Sequence, residues 1–200
     1  MPTINEIKPV LALKCVGIAG AGGLGSNVAA MLIRSGVGKL IIADFDTVSL
    51  PNLGRQFFFK DQAGMLKVEA LRDNLLRIEP DAVLQMHCIK VTPENTPLLF
   101  STCDVVVEAL DDASEKMSFI SEMTSRFPKI PLVAGSGVGG TGGFDEISVV
   151  RSGNLFICGD FESEVSETLP PLAPKVTAVA ALQADTVVRI LIGDDMSEMQ

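Results

Sequence analysis

The run Gly20-Ala-Gly-Gly-Leu-Gly25 follows the apolar, β-rich stretch Cys15–Ala19 and precedes apolar residues at helical spacing. A glycine loop in that setting can hold phosphate. Gly20 permits a tight turn, Gly22 and Gly23 let backbone N–H groups approach phosphate oxygens, and Gly25 lets the helix pack on the strand. The helix N-terminus adds about half a positive charge facing the ligand. Asp44 ends the next strand, where a carboxylate can accept both ribose hydroxyls. The competing reading is a tight turn with a surface aspartate. Strand, loop, helix and acid in register favour a bound nucleotide.

Charge separates a dinucleotide from a triphosphate. The stretch from Asp44 continues through Asn52, Arg55 and Gln56, and Lys67 opens a helix. A triphosphate needs cations beyond a glycine loop. Arg55 can fork across two phosphate oxygens, Lys67 supplies a point charge, and Asn52 and Gln56 add neutral donors. Taken singly, either cation could be solvated surface. Glu108-Ala-Leu-Asp111-Asp112 ends the fourth strand, and open α/β sheets place ligand chemistry at carboxyl ends of strands. Asp111 is the expected Mg²⁺ and phosphate residue and Asp112 the expected cap of the next helix; the alternative leaves both as capping residues.

These residues need a scaffold. Strand-like runs at Cys15–Ala19, Leu40–Ala43, Val83–Ile89, Asp104–Ala109 and Ile130–Ala134 alternate with helical patterns. The helical patterns lie at Leu24 to Gly36, Val68 to Ile78, Pro93–Phe100 and the stripe Met117, Ile120, Met123, Phe127. Apolar strands alternating with helices predict an α/β, Rossmann-like fold with a mostly parallel sheet and helices on both faces. Ile147–Val150 and Leu155–Ile157 predict a short antiparallel extension, and a last helix is expected from about Val176 to Ile192. No repeat or break divides the chain, so residues 1–200 read as one nucleotide-binding domain.

Composition narrows the partners. The 200 residues carry 16 Lys+Arg against 25 Asp+Glu, a net charge of −9, and lack Trp and Tyr. That balance argues against nucleic-acid and anionic-membrane surfaces. The N-terminus has no signal-peptide pattern and no apolar run spans a membrane, which points to a cytoplasmic protein. Cys15, Cys88, Cys103 and Cys158 lack C-x-x-C spacing, so no zinc is expected. The first three are expected to be buried thiols, and Cys158 is the one cysteine read as outside the core strands. His87, the only histidine, falls inside a strand and reads as structural.

GAGGLGS, RSGVGKLIIADFDTVSLPNLGRQ, GMLKVEA, VVEALDD and APKVTAVAALQAD together resemble the ThiF/MoeB group of carrier-protein adenylyltransferases, bacterial relatives of ubiquitin-activating enzymes. The resemblance runs from about Lys14 to Gly193 and looks closest to the compact ThiF proteins of thiamine biosynthesis. It implies that the C-terminal glycine carboxylate of a ThiS-like sulfur carrier, ending in Gly-Gly, attacks the α-phosphate of ATP, giving an acyl-adenylate and pyrophosphate. By position it implies Gly23 at the phosphates, Asp44 on the ribose, Asn52, Arg55 and Lys67 on the triphosphate, and Asp111 with Mg²⁺. A homodimer is implied by resemblance alone. The zinc-binding C-x-x-C pairs of larger relatives are missing, as is their early arginine that reaches the partner subunit's ATP; the first 14 residues here offer only Lys8 and Lys14.

Alternatives stay open. They are a molybdopterin-type carrier, a modified tRNA base (disfavoured by the acidic balance), a nucleotide-binding module without catalysis, and an NAD-dependent oxidoreductase. Cys158 is a candidate to carry sulfur or the carrier covalently. The Gly135–Gly143 loop is either an irregular connection or a groove for a Gly-Gly tail, with Thr168–Pro174 lying over it. Phe57–Phe59 reads as core or interface rather than an adenine wall.

Overall fold

The computed structural model describes residues 3–194. Five strands joined by four helices build a parallel sheet: β1 (Cys15–Ala19), α2 (Gly23–Ser35), β2 (Lys39–Ala43), α3 (Lys67–Leu76), β3 (Val83–His87), α4 (Thr96–Phe100), β4 (Val105–Glu108), α5 (Ala113–Arg126) and β5 (Leu132–Ser136). They are preceded by α1 (Ile4–Leu11) and followed by β6 (Ser148–Ser152), β7 (Leu155–Gly159) and α6 (Ala173–Ile192). The strand order is β3-β2-β1-β4-β5-β7-β6, parallel except for β6. Thus β7 runs parallel beside β5 and belongs to the main sheet, and only the edge strand β6 is antiparallel. The Rossmann-like reading holds, and the sequence reversal falls between β1 and β4, where such sheets bind ligands.

Alternation along each strand divides the core. Val16, Ile18, Leu40, Ile42, Val105 and Val107 face α2, α3 and α6, meeting Val28, Leu32, Leu71, Val179 and Val187. Ala19, Ile41, Val106 and Leu132 face α4 and α5, meeting Leu99, Phe100, Phe119 and Met123. The Phe100 ring fills the space above Gly17, where a β-carbon would come within 2.6 Å of it.

Three expectations need correction. Of the stripe expected on α5, Met123 is buried and Ile120 and Phe127 pack half-buried against the core, but Met117 is exposed and Phe119, edge-on to Phe100, is buried instead. The edge strand β3 is not apolar on both faces, since Val83 and Gln85 are exposed. The N-terminal segment, unassigned from its sequence, forms α1, with Leu11 buried in the core and the Glu6 carboxylate accepting from the Thr3 N–H at 2.7 Å. Pro9 lies inside this helix, where it can donate no backbone hydrogen bond.

Candidate nucleotide site

The glycine loop has little steric choice. Gly20 has φ +96°, and a β-carbon there would lie 2.5 Å from the Ala109 carbonyl oxygen at the exit of β4. At Gly25 a β-carbon would lie 1.9 Å from the Gly20 carbonyl oxygen, so α2 can approach β1 only with glycine there. Gly22 caps α2 and opens outward, where the nearest atom to a β-carbon would be Gln56 Nε2 at 3.9 Å. A glycine cap has no side-chain acceptor, and the first turn of α2 carries no acidic residue. Its N–H groups are therefore suited to an external anion.

The segment after β2 is bonded to that helix. Asn27 Nδ2 donates to Gly23 O at 2.6 Å and to Arg55 O at 2.9 Å, while Ser26 Oγ accepts from the Phe57 N–H at 3.0 Å. These bonds bring Arg55 over the loop: its Cγ and Cδ lie 3.8 Å from where a Gly23 β-carbon would stand. Asn52 Oδ1 accepts from the Arg55 guanidinium at 3.4 Å. Gln56 is buried, and its Oε1 is an acceptor without a partner.

Asp44 is buried and already engaged. One of its oxygens accepts the Ala21 N–H at 2.7 Å and the other accepts the Asp46 N–H at 2.8 Å. It therefore shapes the glycine loop, and each oxygen retains a lone pair for a ribose hydroxyl. Lys67, at the start of α3, donates through its N–H to Asp46 O and through Nζ to Asp46 Oδ2, at 2.9 and 2.6 Å. A hydrogen-bonded chain thus links Ala21, Asp44, Asp46 and Lys67. Asp46 was missed as a site residue, although its alternation with Asp44 directly after a strand was the available signal. Phe45, between them, is exposed with Lys90 Nζ 5.8 Å from its ring centroid.

The exit of β4 backs onto this loop through Ala109 and Leu110. Asp111 is exposed there, and Asp112 caps α5 by accepting the Ser114 and Glu115 N–H groups at 2.9 Å each. Just before them Glu108, fully buried, pairs with Lys116 and accepts the Leu110 N–H at 2.7 Å. Burial pushes its pKa above the usual range, against the opposing pull of Lys116 and the backbone donors. Lys116 also donates to Gly135 O at 2.9 Å, tying α5 to the end of β5.

The far wall is internal. Gly139 donates to Ser163 O at 2.9 Å and Gly140 to Pro170 O at 3.0 Å, so the 163–170 segment lies directly on the glycine-rich loop. Asp160 and Lys175 form a buried pair at 2.6 Å. Burial alone would raise the Asp160 carboxyl, but Lys175, the Ser163 hydroxyl and two N–H donors hold it well below the carboxylate range. One residue on, Val176 Cγ1 lies 3.1 Å from the β-position of Gly23, so the start of α6 closes the phosphate end of the crevice.

The cysteines differ from expectation. Cys158 is in β7 and fully buried, with its pKa pushed up to about 12 by burial, while Cys88 is exposed. That environment suits a packed thiol, not a nucleophile.

Solved structures share this fold. The tRNA N6-threonylcarbamoyladenosine dehydratase TcdA of E. coli, solved with ATP, superposes with TM-score 0.84 at 21% identity, covering 94% of this chain and 89% of that one. E. coli MccB, solved with ATP, gives TM-score 0.73 at 21% identity over 96% of this chain and 60% of that one. Ubiquitin-like modifier-activating enzyme 5 of Caenorhabditis elegans is 44% identical over 92 residues, which is 46% of this chain but 22% of that protein. Its Drosophila mojavensis counterpart is 40% identical over 117 residues, with 52% and 29% covered. The matched region thus spans under a third of these relatives' length. The ThiF family pattern matches residues 9–200, and the chain belongs to the ThiF family.

Proposed function

We propose that this chain is an adenylyltransferase that uses ATP to activate the C-terminal carboxylate of a ThiS-like sulfur carrier ending in Gly-Gly. The observation that carries this reading is Arg55 lying over Gly23 at the glycine-capped N-terminus of α2. A glycine-capped helix terminus with an arginine stem against it offers N–H donors and a cation to a polyanion. The relatives support the choice: MccB has been solved with ATP and with MccA, and the enzyme 5 proteins activate ubiquitin-like modifiers, as their name says.

The residues then divide the reaction between them. Asp44 receives the ribose hydroxyls on its free lone pairs, and the N–H groups at Gly22 and Gly23 receive phosphate oxygens. Arg55, Asn52 and Lys67 hold the chain of phosphates and neutralise the charge that grows on the departing pyrophosphate. The carrier's carboxylate oxygen attacks the α-phosphorus, forming an acyl–phosphate bond as the bond to pyrophosphate breaks. The nucleophile is already ionised at neutral pH, so no general base is needed, and alignment with charge neutralisation lowers the barrier.

Asp111 is assigned a magnesium role, because Mg²⁺ bound to phosphates takes one or two protein carboxylates and Asp111 is an exposed carboxylate three residues beyond the end of β4. Bound there, the ion would supply positive charge that offsets the charge of the phosphates. The proposal includes a homodimer, a cytoplasmic setting and a place in thiazole sulfur supply, all carried by the resemblance; among the described residues no helix is long and apolar enough to cross a membrane. The test is mass spectrometry of ThiS-like and molybdopterin-type carriers after incubation with ATP and Mg²⁺. Addition of AMP to the ThiS-like carrier supports the reading, and ATP binding with no adenylate on any Gly-Gly carrier overturns it.

A further inference from the structure

Glu108 ends β4, Lys116 lies near the start of α5, and their side chains meet across the segment 109–115 that carries Asp111. The ion pair thus closes that segment at its base. Each member has a second task. Glu108 Oε1 accepts the Leu110 N–H at 2.7 Å, while Oε2 accepts from Lys116 Nζ. The same ammonium donates to Gly135 O at 2.9 Å, on the neighbouring strand β5. Behind the pair, Gln183 Nε2 donates to Glu108 O at 3.2 Å. Gly135 also seats α2: a β-carbon there would lie 2.5 Å from Leu24 Cδ1, and Leu24 belongs to the loop Gly20–Gly25.

We propose that Lys116 is a positioning residue: through Glu108 and Gly135 it fixes the Asp111 turn against the glycine loop, and so sets how Asp111 meets Mg²⁺ on the bound nucleotide. This rests on the ATP and Mg²⁺ reading proposed above and adds a residue to it.

Stability does not account for the pair. The Glu108 side chain is 0% exposed and that of Lys116 24%. Taking a carboxylate out of water costs about as much as the pairing returns, and apolar side chains of similar volume would pack there at least as well. An apolar pair could not, however, accept the Leu110 N–H and donate to Gly135 O, two backbone groups from separate segments held on one bridge. The amide that Glu108 holds stands against the glycine loop, since a β-carbon at Gly20 would lie 3.3 Å from Leu110 N. Asp111 follows that amide directly, so any freedom gained at Leu110 passes to its carboxylate. Two of the three ammonium donors are engaged on fixed acceptors, which gives the bridge a direction as well as a charge.

K116M alone would strand a buried carboxylate, so the full chain is tested as K116M/E108Q, which removes both charges and keeps an acceptor for the Leu110 N–H. Calorimetry follows ATP binding with and without Mg²⁺. ATP alone should bind the double variant as it binds the parent, while the Mg²⁺ concentration needed for full ATP affinity should rise about 10–100-fold. In a D111N background the same two changes should add nothing, because they act through Asp111. A Mg²⁺ requirement equal to the parent's, a loss additive with D111N, or equal weakening with and without the ion overturns the inference and leaves the proposed function standing. A parent chain that binds no ATP overturns the proposed function, and this inference with it.

Discussion

Lys67 Nζ sits 2.6 Å from Asp46 Oδ2, with the lysine side chain 5% exposed and the aspartate 43% exposed. The cation is held inside while its counter-ion faces the solvent, so a phosphate arriving at the glycine loop can share the ammonium without dragging it out of water. Lys67→Met keeps the buried stem and removes the charge. Carrier-dependent ATP–pyrophosphate exchange should fall by about 100-fold, with a loss of no more than about 1 kcal/mol in urea unfolding because Asp46 remains hydrated. Exchange at the parent rate would remove Lys67 from the phosphate site.

Asp111 is exposed and can be changed without touching the core. Asp111→Asn should lower exchange by about 10²–10³-fold while stability shifts by no more than about 0.5 kcal/mol. Raising Mg²⁺ should partly restore the rate. A variant that exchanges normally at limiting Mg²⁺ would dismiss the assigned role.

The glycines of the loop divide into two kinds. Gly25→Ala would place a carbon 1.9 Å from Gly20 O and should cost about 3 kcal/mol or more in chemical denaturation. Gly22→Ala meets open space, so the fold should survive while ATP affinity, measured by calorimetry, weakens. Equal destabilisation by both would show that Gly22 is also a packing residue.

Much of this was legible in one dimension. The boundaries of β1, β2 and the loop between β1 and α2 followed from apolar runs punctuated by glycine, and the strand–loop–helix–acid register drew Gly20 to Gly25, Asp44 and Arg55 together. What escaped depends on distant contacts. Phe119, not Met117, faces the core because Phe100 lies across from it. The partner of β7 is decided by where β5 ends. Glu108–Lys116 and Asp160–Lys175 join separate elements, and burial of such charges is visible only once both partners are placed. Asp44 stands directly after β2, as its place behind the apolar run implies, but its grip on the Ala21 amide belongs to the folded loop.

The Asp160–Lys175 pair predicts an acid-sensitive wall. A carboxyl held low when folded contributes stability above its unfolded pKa of about 4, and that contribution is lost as pH falls toward the folded value. Lys175→Met leaves a buried carboxylate without its cation and should cost about 2–4 kcal/mol at pH 7. The K175M/D160N double variant should recover part of that loss. Urea melts between pH 7 and pH 3 should show the parent losing more stability than the double variant; parallel curves would deny the pair this role.

Cys158 offers a negative control. Because its sulfur is fully buried beside Thr186, Cys158→Ala should leave AMP transfer to the carrier within about twofold of the parent. A collapse of activity with an intact fold would mean that β7 opens during turnover.

The contact of Val176 with Gly23 joins the last helix to the first phosphate-binding turn. During synthesis the glycine loop emerges early, yet one of its walls is supplied about 150 residues later. A nascent chain or a truncation ending before Ala173 should therefore carry the whole phosphate motif and still lack a closed crevice. On the proposed function, nucleotide capture would be a late event in the protein's maturation, coincident with docking of α6.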